Sequence, residues 1–195
     1  MNIVRLIIPV SALWLLSEIA LAIVKRAQAK SADELDKRSL RILWITIIAS
    51  IFVGVMLGAR GIGLLHLGGY WIIYLGLMLI VVGLIIRWIA ILTLGRYFTV
   101  NVNIAKDQQI VDSGIYKFIR HPSYTGSLLS FLGLGLSFSN WLIALIIFIP
   151  ITIAFIYRIG IEEKALAVAL ATHTEITPDR PSACSPAFIN HVIWR

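Results

Sequence analysis

Residues 124–161 read YTGSLLSFLGLGLSFSNWLIALIIFIPITIAFIYRIGI, two apolar runs separated by the pair Ser139-Asn140. A helix needs about 20 mostly apolar residues to cross a bilayer, and the second run, from 141 to about 161, has that length. Serine and asparagine favour turns, so the two runs are predicted to form a helical hairpin. The first run, from about 124 to 138, is short for a full crossing and is expected to be tilted or partly interfacial.

The rest of the chain is equally apolar, with further runs at 3–24, 42–58 and 71–92. The 195 residues are 59% hydrophobic and only 14% charged, with a mean hydropathy of +0.90. Soluble domains are about half apolar and about a quarter charged, so an ordinary soluble globule and a disordered chain are both excluded. We therefore predict an all-α integral membrane protein with about five transmembrane helices. The single cysteine, Cys184, excludes an intramolecular disulfide framework.

The basic residues predict the orientation in the membrane. Of the 17 lysines and arginines, all but Arg5 and Arg60 fall in or beside segments that five crossings place on one side. The positive-inside rule makes that side cytoplasmic, so the N-terminus is expected outside and the C-terminus in the cytoplasm. This bias accounts for the net charge of +7. A nucleic-acid partner is not expected, because no aromatic-interleaved basic module is visible.

A polar connector over 93–126 precedes the hairpin and is cytoplasmic by this topology. It exceeds the roughly 12 to 15 residues above which connections are usually functional or disordered, and its apolar content predicts ordered structure. His121-Pro122 is typical of the start of a helix. The free N–H groups and positive dipole end of that helix could bind a carboxylate or a phosphate. The alternative is that Arg120 only anchors at the lipid interface and that His121 caps the helix.

Charged residues also stand at the far end of the hairpin. Because a hairpin brings its two far ends together, Glu162 and Glu163 are expected near Arg120 and His121. Arg158 shares a helix face with Glu162, since the two are four residues apart. Charges at membrane depth are unfavourable unless they are paired or face a cavity, so these residues are functional candidates, with a structural ion pair as the alternative. Together the charges suit a zwitterionic or mixed-charge ligand.

Other chemistries find little support in the sequence. The four histidines are scattered without an HxxxH or HExxH arrangement, so no metal ligands are assigned. The motifs GxSxG and GxGxxG are absent. Glu18 and Arg87, inside the first and third apolar runs, are expected to satisfy polar groups within the bundle.

These residues resemble the isoprenylcysteine carboxyl methyltransferase family of integral membrane enzymes, which is related to phospholipid N-methyltransferases. The resemblance runs from about 94 to 166 and covers LGRYF, QQIVDSGIYKFIRHPSYTG, the hairpin and EEKAL. RHPSY followed by two glutamates at the end of the next helix is its most specific part. It implies a methyltransferase core over 93–170, after N-terminal transmembrane helices 1–3 over 1–92. It also implies a cytoplasmic pocket for S-adenosyl-L-methionine.

The resemblance also implies roles for individual residues. The implied cofactor contacts are Gln108, Gln109, Ile110, Val111, Tyr116, His121, Pro122, Ser123, Tyr124 and Glu162. Asn101 is a weaker match to a polar cofactor contact. Arg158 matches the residue that binds the substrate carboxylate, and Arg158 and Glu162 are the implied catalytic pair. After Leu170 the sequence departs from the family's usual Phe-Gly-x-Glu-Tyr and basic segment, so 171–195 forms an atypical C-terminal tail.

The implied reaction is methyl transfer to the carboxylate of an isoprenylcysteine or a similar lipophilic acid that enters from the bilayer. Three alternatives stay open: N-methylation of a phospholipid amine, with Glu163 or His121 as base; hydride transfer, by kinship with membrane sterol reductases; and a non-catalytic membrane relative. Membrane lipids are the expected partners, and the sequence carries no signature of an oligomeric state.

Overall fold

A computed structural model of the chain describes residues 4–26, 34–65, 70–95 and 113–176. Its elements are α1 (Val4–Arg26), α2 (Glu34–Gly58), α3 (Trp71–Leu94), a 3-10 helix (Gly114–Lys117), α4 (Pro122–Ser137) and α5 (Trp141–Ile176). Over these ranges no strand is present, and β pairing is limited to one isolated bridge between Leu64 and Asn140. The predicted all-α membrane fold is confirmed.

The predicted number of crossings is too high for the part of the chain that the structure describes. Three helical segments are long and apolar enough to cross a membrane: Lys37–Gly58, Trp71–Leu94 and Trp141–Ala165. In α1 an apolar helical stretch is found over Pro9–Leu21, within the apolar run 3–24. The 16 residues of α4 rise only about 24 Å, less than the hydrocarbon core of about 30 Å. The described residues thus contain about three candidate crossings, against the five expected.

The hairpin between α4 and α5 turns at the predicted pair. Ser139 adopts the left-handed φ of 49° that a sharp reversal requires. Asn140 is fully buried, and its Oδ1 accepts hydrogen bonds from the backbone N–H groups of Leu142 (3.0 Å) and Ile143 (3.1 Å), which caps α5. Its Nδ2 donates to the carbonyl of Ile62 at 2.7 Å. The α2–α3 connection and the hairpin turn therefore meet at one end of the bundle.

Small residues allow α3 and α4 to approach closely. The seam between them contains Gly76, Gly83, Gly126, Ser130, Gly133 and Ser137. A Cβ on Gly83 would overlap the carbonyl oxygen of Gly126, and the hydroxyl of Ser130 donates to the carbonyl of Ile80 at 3.2 Å. Close backbone approach through small residues, with hydrogen bonds across the seam, is how helices associate inside membranes. The seam fixes α4 laterally on α3.

A buried apolar core joins the helices, while their outer faces stay apolar and exposed. The core is built from Trp14, Leu43, Leu77, Ile80, Phe131, Leu134, Ile143, Ile147, Ile151, Ala154 and Phe155. Trp14 of α1 packs edge-to-face on Phe131 of α4, with ring centroids 4.9 Å apart. Outward residues such as Ile48, Phe52 and Ile156 are more than 60% exposed, as lipid-facing side chains are. The packing places the start of α4 beside the far part of α5.

Candidate functional site

The start of α4 and the last part of α5 converge through two side-chain pairs. The Tyr124 hydroxyl donates to Oε2 of Glu162 over 2.8 Å. Nε2 of His121 lies 3.1 Å from Oε1 of Glu163, and both side chains are partly exposed. Side chains that are 38 and 42 positions apart in sequence are therefore in contact, as the hairpin geometry predicts. Arg120, beside this cluster in sequence, carries an exposed side chain.

Arg158 is buried one turn before Glu162 on α5. Its side chain is 2% exposed, and Nη1 donates to the hydroxyl of Ser39 on α2 over 2.8 Å. It also lies close enough to Tyr124 to interact with its hydroxyl electrostatically. Ser39 was not expected from the sequence, since a serine at the start of an apolar run gives no signal beyond its small polar side chain. The site is therefore built from three helices, α2, α4 and α5.

Tyr116 joins the same site from the 3-10 helix. Its hydroxyl donates to the carbonyl of Ala90 at 3.3 Å, one turn before α3 ends. Gly114 begins this helix with a φ of 59°, a conformation that favours glycine. Burial and the nearby Glu162 carboxylate raise the pKa of Tyr116 to about 12. The phenol therefore stays protonated at neutral pH beside a carboxylate.

Aromatic packing fixes the ring of Tyr124, whose hydroxyl makes the hydrogen bond to Glu162. Its ring centroid lies 5.2 Å from that of Phe155 on α5 and 5.9 Å from that of His121. Phe155 in turn packs on Phe131 of α4, with centroids 6.4 Å apart. Tyr124 thus has an apolar body fixed in the core and a hydroxyl directed at Glu162.

The first turn of α4 is contacted from its other side by Arg87 of α3. Nη1 of Arg87 donates to the carbonyl (3.2 Å) and hydroxyl (3.1 Å) of Ser123 and also to the hydroxyl of Ser127. The remaining edge of the guanidinium binds Glu18 of α1, with Nε–Oε1 at 2.6 Å and Nη2–Oε2 at 2.7 Å. The expected role of Glu18 and Arg87 inside the bundle is confirmed, while the Ser123 hydroxyl is engaged by Arg87.

The helix start has the predicted geometry, with one difference. Pro122 is buried and occupies the first turn of α4, as expected. His121 holds the N-cap position but makes no side-chain capping bond, because its ring pairs with Glu163. His121 therefore caps the helix by position, as the alternative expected, but not through its side chain. The first N–H groups of a helix lack intrahelical partners, so they can serve a bound anion.

Some predicted contacts lie outside the described residues. These are Asn101, Gln108, Gln109, Ile110 and Val111, together with Cys184 and the tail over 177–195. Among the residues that the structure describes, no three His, Cys, Asp or Glu side chains are grouped so as to hold a metal ion. The described site combines two carboxylates, two tyrosine hydroxyls, a histidine, a buried guanidinium and a helix N-terminus, which suits a ligand carrying both signs of charge.

Comparison with known proteins gives a matched region that contains the described site except Ser39. Residues 73–168 match the model of the isoprenylcysteine carboxyl methyltransferase family. Protein-S-isoprenylcysteine O-methyltransferase A of Arabidopsis thaliana is 36% identical over 99 residues, which are 50% of this chain and 50% of that protein. The B enzyme of the same plant is 35% identical over 99 residues, again half of each chain. The Saccharomyces cerevisiae enzyme of that name is 39% identical over 95 residues, 47% of this chain and 39% of that protein. The chain spans about half the length of the plant relatives that it matches.

Proposed function

Since the chain belongs to the isoprenylcysteine carboxyl methyltransferase family through residues 73–168, we propose that it is an S-adenosylmethionine-dependent membrane methyltransferase. Its acceptor is the carboxylate of a lipophilic acid of the isoprenylcysteine type. The observation that carries this proposal is the 2.8 Å bond between Tyr124 and Glu162. It joins the RHPSY segment to the glutamate pair, the two most specific parts of the matched region.

The residues at the site fit the cofactor. S-adenosylmethionine has an amino-acid end with an ammonium and a carboxylate, a ribose with two hydroxyls, and an adenine. The carboxylate of Glu162 can accept from an ammonium or hydroxyls, while the start of α4 with His121 can donate to a carboxylate. Tyr116, Pro122, Ser123 and Tyr124 complete the described part of the proposed pocket. Four further proposed cofactor contacts lie outside the described residues: Gln108, Gln109, Ile110 and Val111. When bound, the cofactor supplies a methyl group on a positively charged sulfur.

Arg158 is the residue that holds the acceptor. A guanidinium has five N–H donors in a planar fork, so the bond to Ser39 is compatible with a two-bond contact to a carboxylate. A carboxylate is already ionised at neutral pH, so the reaction needs no strong general base. The protein's contribution is then alignment, which can lower a barrier by roughly 7–11 kcal/mol. Arg158 and Glu162 together set that alignment.

Arg158 also lies at a suitable depth for a lipid-borne acid. It falls within the candidate crossing Trp141–Ala165, near its end, and is buried between helices. An acceptor with an apolar chain in the bilayer can present its carboxylate there without leaving the membrane. The acceptor is therefore proposed to enter sideways from the lipid.

The distribution of charge supports a cytoplasmic site. Described basic residues in and around the site end of the helices include Lys37, Arg38, Arg41, Arg87, Lys117, Arg120, Arg158 and Lys164. The opposite end, where the turn at Asn140 meets the α2–α3 connection, has Arg60. Because positive charge accumulates on the cytoplasmic side, the site is proposed to face the cytoplasm.

Calorimetric titration of the purified protein in lipid nanodiscs tests the cofactor assignment. Wild-type protein should bind S-adenosylmethionine, and Glu162→Ala and His121→Ala should each abolish binding. Ser137→Ala, which alters a buried hydroxyl at the far end of α4, is the matched control and should bind normally. Unchanged binding in both site variants would refute the site.

A radiolabelled methyl-transfer assay tests the acceptor. The panel should contain a prenylcysteine, a fatty acid and phosphatidylethanolamine. Label is expected in a base-labile methyl ester of the prenylcysteine. Transfer confined to phosphatidylethanolamine, with a rate that rises with pH, would replace the carboxyl acceptor by an amine.

A further inference from the structure

We propose that Glu18 and Arg87 form a clamp that positions the first turn of α4, which makes Glu18 a positioning residue for the cofactor site. The clamp comprises Glu18, Arg87, Ser123 and Ser127. This inference rests on the proposed function, because the site that it serves is the S-adenosylmethionine site. Glu18 belongs to α1, which precedes the region matched by the family model.

The clamp crosses three helices through one guanidinium. Arg87 binds both carboxylate oxygens of Glu18, and its Nη1 reaches the carbonyl and hydroxyl of Ser123 and the hydroxyl of Ser127. The side chains of Arg87 and Glu18 are only 12% and 14% exposed. A guanidinium is planar and rigid, so a carboxylate that grips one edge fixes the direction of the remaining N–H groups. Glu18 therefore orients the donor that α4 receives.

Packing leaves little room for the first turn of α4 to move once the clamp is closed. A Cβ added at Gly126 would lie 2.8 Å from the backbone nitrogen of Arg87 and 2.5 Å from the carbonyl oxygen of Gly83. The backbones thus touch at the same level as the clamp. Ser123 immediately precedes Tyr124, so a shift of Ser123 changes the distance from the Tyr124 hydroxyl to Glu162.

The energetics favour this role over that of an incidental ion pair. Charges at membrane depth are tolerated when they are paired, and removing one partner leaves the other uncompensated. Without Glu18, the guanidinium of Arg87 can turn toward other hydrogen-bond acceptors. The carbonyl of Ser123 then loses the hydrogen bond from Nη1 of Arg87. The displacement of Ser123 is passed directly to Tyr124, the next residue of α4.

The test compares Glu18→Gln and the milder Ser127→Ala with the control Ser137→Ala, whose buried hydroxyl donates to the Gly133 carbonyl at 2.8 Å at the far end of α4. Hydrogen–deuterium exchange of 121–127 is measured without cofactor. Both clamp variants should exchange faster there, Glu18→Gln more strongly, whereas Ser137→Ala should match the wild type. Equal exchange in clamp variants and control would overturn the inference.

Cofactor affinity supplies a readout that a purely structural role would not move. Glu18→Gln should weaken S-adenosylmethionine binding about tenfold at temperatures well below its unfolding transition. In a Tyr124→Phe background the same substitution should change affinity less than about twofold, because the bond through which it acts is gone. Additive effects would overturn the inference. If the wild type binds no S-adenosylmethionine, the proposed function fails, while the exchange comparison still decides the clamp.

Discussion

The hydroxyl of Tyr124 and Oε2 of Glu162 are joined by a 2.8 Å hydrogen bond between the first turn of α4 and the far part of α5. The ring of the same tyrosine packs on Phe155, which fixes the position of its hydroxyl. Glu162 thus receives a fixed donor on one oxygen. A carboxylate oriented in this way presents its remaining lone pairs to a ligand in one direction.

Replacing Tyr124 by phenylalanine should weaken S-adenosylmethionine binding about tenfold or more. Hydrogen bonds to charged groups contribute about 1.5–3 kcal/mol, and phenylalanine removes the donor while keeping the packed ring. Calorimetric titration measures the effect. Tyr157→Phe, at a half-exposed tyrosine on the same end of α5, is the control and should bind as the wild type does. Equal losses in both variants would contradict the assignment.

Ser39→Ala should weaken binding of the methyl acceptor and leave binding of S-adenosylmethionine unchanged. The substitution removes the hydroxyl that accepts a hydrogen bond from Nη1 of Arg158. The guanidinium therefore loses one of the contacts that fix its orientation. We expect KM for a prenylcysteine acceptor to rise about tenfold, the scale of one hydrogen bond to a charged group. Affinity for S-adenosylmethionine should stay within about twofold. Steady-state kinetics with calorimetry separates the two effects.

The control for this prediction is Ser50→Ala, at another buried serine of α2. It should leave both constants unchanged. A parallel loss of cofactor affinity in Ser39→Ala would show that Ser39 supports the whole site, not the acceptor arginine alone.

Two glycine substitutions should have opposite effects on stability. An alanine Cβ at Gly83 would overlap backbone and hydroxyl atoms of α4, and overpacking typically destabilises by about 1–3 kcal/mol. A Cβ added at Gly160 would meet no atom of the described residues within 4 Å, so Gly160→Ala should stabilise α5 by up to about 1 kcal/mol. Thermal unfolding in a mild detergent measures both. A Gly83→Ala protein as stable as the wild type would mean that α3 and α4 can move apart without loss of stability.

Alkaline conditions should destabilise the protein through Tyr116. Its pKa is raised from an ordinary value of 10 to about 12, so the folded state holds the phenolic proton more tightly than the unfolded state. The resulting contribution to stability is complete below pH 10 and is lost as the pH rises from 10 to 12. Unfolding measured across this range should show a decline that is reduced in Tyr116→Phe. The same slope in both proteins would contradict this prediction.

The sequence predicted the parts of the site that follow from chain connectivity. Ser139-Asn140 between two apolar runs predicts a hairpin, and a hairpin brings His121 and Glu163 together whatever else the helices do. The partner of Arg158 was not predictable, because the packing of α2 on α5 depends on the whole bundle and not on a local pattern around Ser39.

The predicted number of crossings exceeds the number found among the described residues. Hydropathy identifies apolar runs, but α4 has only 16 residues, too few to span the hydrocarbon core. Glu18 and Arg87 could be recognised as polar groups inside the bundle, since charges at membrane depth need partners. The contact of Arg87 with Ser123 depends on the rotation of α3 and α4 about their axes, which periodicity alone does not fix.

The buried cap at Asn140 has a mechanical consequence for the opposite end of the hairpin. Its bonds to Ile62, Leu142 and Ile143 fix the turn to the neighbouring connection, so relative rotation of α4 and α5 has its pivot there. The 16 residues of α4 put the turn about 24 Å from the bond between Tyr124 and Glu162, so a relative rotation of about 5° would change their separation by about 2 Å. A tilt of that size is enough to break the bond to Glu162. The seam and the contacts of Arg87, which hold α4 on α3, therefore act where a small change of angle would separate Tyr124 from Glu162.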